Sequence, residues 1–184
     1  MSDDDIEELI GKFRSTVPKV FQFLEVDYNY DPVQIELEDV EYRKDTHISA
    51  RYLSGLIGVE VVWGIGQSSL SVPMYELVDG KVPEKLSFYG HAGFSRGIQL
   101  HTLVEFITNG KVEPPLPRIT SDLSFAEMGR RADRCTELIR TELVDLIQIQ
   151  AERLRTYSHD VLLGDTSLFP TIQEYHRKIW HVDI

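Results

Sequence analysis

Ile48-Ser49-Ala50-Arg51-Tyr52-Leu53-Ser54-Gly55-Leu56-Ile57-Gly58-Val59-Glu60-Val61-Val62-Trp63 is the stretch whose reading decides the fold. Ile48, Ala50 and Tyr52 recur at every second position, and so do Ile57, Val59, Val61 and Trp63. A period of two in β-branched and aromatic residues marks strands with one buried face. Ser54-Gly55 supplies the turn between the two runs. The gap is too short for a parallel crossover, which takes roughly a dozen residues or more, so the strands are expected to be antiparallel neighbours.

Working outward, Val33, Ile35 and Leu37 alternate with Gln34, Glu36 and Glu38 and predict an earlier strand. Val40 and Tyr42 resume the pattern after a slip, so a bulge or turn is expected near Asp39. Downstream, Leu70, Val72 and Met74 predict a further strand. Pro73 lacks the N–H that a ladder needs, which places this strand at an edge or a bulge. Asp79-Gly80 reads as a hairpin turn leading into Leu86-Ser87-Phe88-Tyr89. The expectation is an antiparallel meander of four to five strands in the sheet-bearing part, about 25–90.

Helices are expected on both sides of this sheet in the chain. Ile6, Leu9, Ile10, Phe13, Val17, Val20, Phe21 and Leu24 follow steps of three and four, with Asp3, Asp4 and Asp5 favourably placed at the positive end of the helix dipole. Pro18 is expected to kink or divide this helix. Ile98, Leu103, Phe106 and Ile107 predict a short helix ending at Asn109-Gly110. Three prolines make 113–118 a stiff connector. Ser124 and Glu127 have capping-box spacing before a long apolar stripe that predicts a helix over 124–163. Asp165 is expected to cap a last helix carrying Ile172, Tyr175 and Ile179. The fold class is therefore α+β: an N-terminal helix, a meander, and C-terminal helices (about 95–184) packed on one face. At 184 residues the chain reads as a single domain, 1–184.

Charge is the strongest functional signal. The net is −11, and residues 1–60 carry 14 Asp/Glu against 6 Lys/Arg, a net of −8. Such a surface repels phosphate, so neither nucleic acid nor an anionic membrane is an expected partner. The acidic opening Ser2-Asp3-Asp4-Asp5 is the reverse of a signal peptide's basic start, which places the protein in the cytoplasm as an expectation. Lone Cys135 has no intrachain partner and reads as a small buried apolar residue.

Motifs with chemistry are sparse. Gly93-Phe94-Ser95-Arg96-Gly97 fits the G-x-S-x-G pattern that exposes a serine nucleophile, with Asp160 or Asp165 and His176 or His181 following in order. A meander is the wrong sheet for that chemistry, and a serine between glycines also serves as a helix cap. Gly64-x-Gly66 and Gly90-x-x-Gly93 read as turns. His101 and Glu105, four apart, read as a plain pair on a helix surface, since no third metal ligand follows. No cofactor and no metal is called for. Glu36, Glu38, Asp39 and Glu41 lie on or beside the outer face of the first strand. They form either a solvated face or an acidic docking surface for a basic protein.

Phe23-Leu24-Glu25-Val26-Asp27-Tyr28, Leu154-Arg155-Thr156-Tyr157 and Asp160-Val161-Leu162-Leu163-Gly164-Asp165, in this order around a sheet, resemble small bacterial α+β proteins. The layout is also similar to immunity proteins of bacterial toxin systems. That resemblance implies a cytosolic inhibitor without catalytic residues, whose partner is a toxin. Three functions are thus open: an immunity-type binder of a basic partner, a small hydrolase using Ser95, and an adaptor subunit assembling through helix 124–163.

Overall fold

The computed structural model describes residues 2–38, 46–65, 68–83, 97–120 and 122–180. It is an α+β fold. Helix α1 (Asp3–Val20) and helix α2 (Phe23–Tyr28) precede strands β1 (Gln34–Glu38), β2 (His47–Leu53), β3 (Ile57–Gly64), β4 (Ser69–Ser71), β5 (Pro73–Glu76) and β6 (Gly97–Gln99). Helices α3 (Leu100–Thr108), α4 (Phe125–Tyr157), α5 (His159–Leu162) and α6 (Phe169–Trp180) follow. The strand order is β1-β2-β3-β5-β6, with β4 also on β3, and every pairing is antiparallel.

The alternation read from the sequence sets the inner face. Ile48 lies opposite Trp63, Ala50 opposite Val61, and Tyr52 opposite Val59. All six side chains are fully buried. Helix α1 covers them: the Phe13 and Trp63 rings stand 6.5 Å apart, and Phe21 stacks on Tyr52 at 6.2 Å. Burying one such aromatic side chain is worth roughly 2–3 kcal/mol, so this contact anchors helix to sheet. The apolar stripe of α4 (Ile139, Leu143, Leu146, Ile147 and Leu154) joins the same cluster.

Ser2 caps α1 with a full capping box to Asp5. Pro18 does not divide the helix as its position predicts. The helix runs on to Val20, and the break falls at Phe21, whose N–H still reaches the Val17 carbonyl at 3.0 Å. Ser124 accepts from the Glu127 N–H, but the Glu127 carboxylate turns to Arg130 instead of closing the box. The predicted helix 124–163 is interrupted twice. Glu142 is non-helical at φ −128°, and Ser158 separates α4 from α5. Asp165 does not cap α6; its carboxylate accepts from Ser167 N–H in the loop before it.

Pro73 is neither on an outer edge nor in a bulge. Ser71 faces Val62 and Met74 faces Val59, so β4 and β5 keep one register along β3 and read as a single strand interrupted where proline has no N–H. Strand β5 is interior, flanked by β3 and β6. Asp79 and Gly80, with φ of 52° and 71°, form the tight turn closed by the Val78–Lys81 bridge. The expected bulge at Asp39 and the expected strand at 86–89 lie outside the described residues. Ile98, expected in the short helix that ends at Asn109-Gly110, lies instead in β6, and α3 begins only at Leu100; three strand residues at a helix start carry no usable period.

On the outer face, Gly58 lies opposite Tyr75, and a Cβ on Gly58 would sit 2.2 Å from the tyrosine ring. Only glycine admits that ring at this position.

Candidate functional site

Two polar regions stand out. The first is the outer face at β1. Pairing with β2 follows a fixed register, Glu36 opposite Ser49 and Glu38 opposite His47. Both glutamates are about half exposed, but neither faces only solvent. Glu38 Oε2 lies 3.5 Å from His47 Nε2, and Glu36 Oε2 lies 3.6 Å from Arg51. Arg51 is held more tightly by Glu60, opposite it on β3, at 3.0 Å. Burial disfavours the Arg51 charge, and Glu60, Tyr75 and Glu36 together more than restore it. Buried Tyr75 stands beside this pair, its hydroxyl pushed up to about 12 by burial and by the Glu60 charge. Sequence reading found the glutamates and missed Arg51 and His47, because cross-strand partners emerge only once register is known. Asp39 and Glu41, the other two predicted docking residues, lie outside the described residues.

Backbone geometry adds to this face. Residues that exchange hydrogen bonds with a neighbour alternate along a strand. Ser54 N–H donates to the Ile57 carbonyl and Ile65 N–H to the Thr46 carbonyl, so even-numbered residues of β2 bond β3. Odd-numbered residues then bond β1, where Gln34, Glu36 and Glu38 meet Arg51, Ser49 and His47. The N–H and C=O groups of Ile35 and Leu37 therefore point away from the sheet. Among the described residues no strand pairs with that side.

The second region lies in the helical layer. Helix α3 packs against both α4 and α6. His101 and Glu105 are not the surface pair that their spacing predicts. Glu105 is buried and grips Arg118 of the proline connector through two contacts, at 2.8 and 2.7 Å. Arg131 in turn donates to the Arg118 carbonyl at 2.7 Å. The His101 ring meets His176 of α6 edge-on at 6.2 Å, and His176 Nδ1 lies 2.9 Å from Thr102 Oγ1. Burial lowers the His101 pKa to about 4, with His176 and Arg118 adding to the effect. His176 is also lowered, by burial first, with Glu105 opposing. Tyr175 sits near Glu105 and is raised by burial and by that carboxylate. These groups form a neutral-imidazole and ion-pair network that ties the connector and α6 to α3. Among the described residues no group of three His, Cys, Asp or Glu side chains could hold a metal ion.

Ser95 and His181 lie outside the described residues, as do Gly66, Gly90 and Gly93. The other hydrolase candidates are accounted for: His176 belongs to the buried network, Asp165 to the Ser167 turn, and Asp160 is exposed on α5. Cys135 donates weakly to the Pro117 carbonyl at 3.5 Å, and burial raises its thiol pKa. No helix among the described residues is long and apolar enough to cross a membrane.

A scan against protein-family models finds no match, and neither the curated proteins nor the solved structures hold a significant neighbour of this chain.

Proposed function

We propose that this protein is a non-catalytic cytosolic binding protein of the immunity-inhibitor type, which covers a basic site on a partner protein, such as a toxin, with its acidic surface. The supporting observation is the outer edge of β1. It pairs two half-exposed carboxylates, Glu36 and Glu38, with outward backbone groups at Ile35 and Leu37. Asp39 and Glu41 follow directly in sequence and extend the negative run. An edge of this kind can accept an extended basic segment, with main-chain hydrogen bonds giving affinity and carboxylates giving sign selectivity. Arg51 does not cancel the surface charge, since the three carboxylates of Glu36, Glu38 and Glu60 stand around one guanidinium.

The test is capture from the native host by the immobilised protein, wild type beside the variant Glu36→Gln/Glu38→Gln/Asp39→Asn/Glu41→Gln. The reading expects one cationic protein retained by the wild type and released by the variant. Equal retention by both, or retention of an acidic protein, would rule this surface out.

A further inference from the structure

A cavity of about 230 Å³ lies along the edge of β4, which no further strand covers among the described residues, bounded by Ser68–Ser71, His101, the connector 114–119, and Cys135 and Gln150 of α4. We propose that it binds a small, uncharged, planar molecule carrying a hydrogen-bond donor and acceptor side by side, as a lactam does. The proposal is independent of the docking reading above.

Ladder parity supplies the first argument. Leu100 N–H donates to the Val72 carbonyl, and Leu77 N–H to the Leu56 carbonyl. Residues 72 and 74 therefore bond toward β6, and residues 69, 71 and 75 toward β3. Leu70 shares the parity of residue 72, so its N–H and C=O point away from β3. Strand β6 ends at Gln99 and the chain turns into α3, so among the described residues no strand runs beside Leu70. Leu70 is only 7% exposed. Among the described residues nothing hydrogen-bonds its N–H or C=O. A buried backbone pair left without partners is rare and calls for a ligand or water.

The connector explains why the gap stays open. Pro114, Pro115 and Pro117 line the cavity and carry no N–H, so this segment cannot zip onto β4 as a strand. The connector is instead held off the edge by the Arg118–Glu105 pair and the Arg131 bond to the Arg118 carbonyl.

Charge and size select the ligand. Arg118 is the one lining residue with a permanent charge, and Glu105 neutralises it. His101 is held neutral by burial. A charged ligand would enter without a counter-ion, whereas a neutral one loses little. Most of the wall is apolar: Leu70, Leu116, Ile119 and the prolines. The volume is below the roughly 300–1,000 Å³ of typical ligand pockets, which limits the occupant to one or two fused rings. The adjacent N–H and C=O of one extended residue match the adjacent acceptor and donor of a lactam.

The probes are 2-quinolone and N-methyl-2-quinolone, which share shape but differ in the lactam N–H. Titration into the wild-type protein is followed by amide NMR. The expected result is saturable binding of 2-quinolone with a downfield shift of the Leu70 amide, and N-methyl-2-quinolone at least about tenfold weaker. Leu116→Trp, which fills the cavity, should abolish 2-quinolone binding. No saturable binding, equal binding of the two probes, or binding that leaves the Leu70 amide unmoved overturns the proposal. The two-probe comparison uses the wild type and stands whether or not the filled variant folds.

Discussion

Among the described residues the sheet has two unlaced edges, and the chain handles them in opposite ways. At β1 the free backbone groups of Ile35 and Leu37 face outward among carboxylates. Leu37 is 41% exposed despite its apolar side chain. At β4 the free groups of Leu70 are roofed by a proline connector and buried. A third edge, at β6, meets a helix: Gln173 of α6 donates its side-chain amide to the Gly97 carbonyl at 2.8 Å. Edges left exposed are usually defended with charge, and β1 follows that rule. The comparison teaches that charge and cover are alternative solutions. A charged edge suits a macromolecular partner, and a covered one suits a small molecule.

The largest effect is expected where the cover is fastened. Glu105→Gln leaves the Arg118 guanidinium without its counter-charge in a mostly buried setting, which should cost about 3 kcal/mol, read by urea unfolding. An equal loss on cutting the Glu36–Arg51 contact at β1 would erase the distinction between the edges.

The same cover should be acid-sensitive. A group whose pKa is depressed by folding binds fewer protons in the native state, so stability is lost as pH falls below its unfolded value. His101, lowered from 6.5 to about 4, then contributes a loss of roughly 2 kcal/mol between pH 7 and pH 5. His176 shifts the same way. Glu105, Arg118 and Tyr175 face this pair from α3, the connector and α6. Thermal melts across that range should show the slope, and His101→Gln should flatten it. An unchanged slope in the variant would remove His101 from the network.

Hydrogen exchange sharpens the contrast without mutation. The Ile35 and Leu37 amides should exchange near their unprotected rates, and the Leu70 amide should be slower although it bonds to no described residue. The smallest effect belongs to the charged edge. Glu36→Gln and Glu38→Gln should each change stability by less than about 0.5 kcal/mol, because half-exposed ion pairs contribute little.

Much of this architecture was legible in the sequence, for a physical reason. A period of two reports which side chains turn inward, so Ile48, Ala50, Val59, Val61 and Trp63 announced both strands and their common face. The same holds for the stripe of α4 and the Asp79-Gly80 turn. Periodicity is silent on what covers a face. His101 and Glu105 therefore read as a surface pair until α6 and the connector are in place. It is equally silent on register, which decides that Arg51 meets Glu60 and His47 meets Glu38. Pro73 misled because a missing N–H demotes one ladder position, not a whole strand: β6 still pairs beside it. Of the predicted site, Glu36 and Glu38 stand where expected, while Asp39, Glu41 and Ser95 lie outside the described residues.

The central claim is that negative charge on the β1 edge drives association with a cationic protein. The most direct measurement is the dissociation constant of the captured partner at about 0.05 M and about 0.5 M salt, where the screening length shrinks from about 14 Å to about 4 Å. The account predicts affinity falling at least tenfold across that range, with the four-carboxylate variant already weak at low salt and nearly insensitive to it. An affinity that stays constant with salt, or a variant that binds as the wild type does, would contradict it.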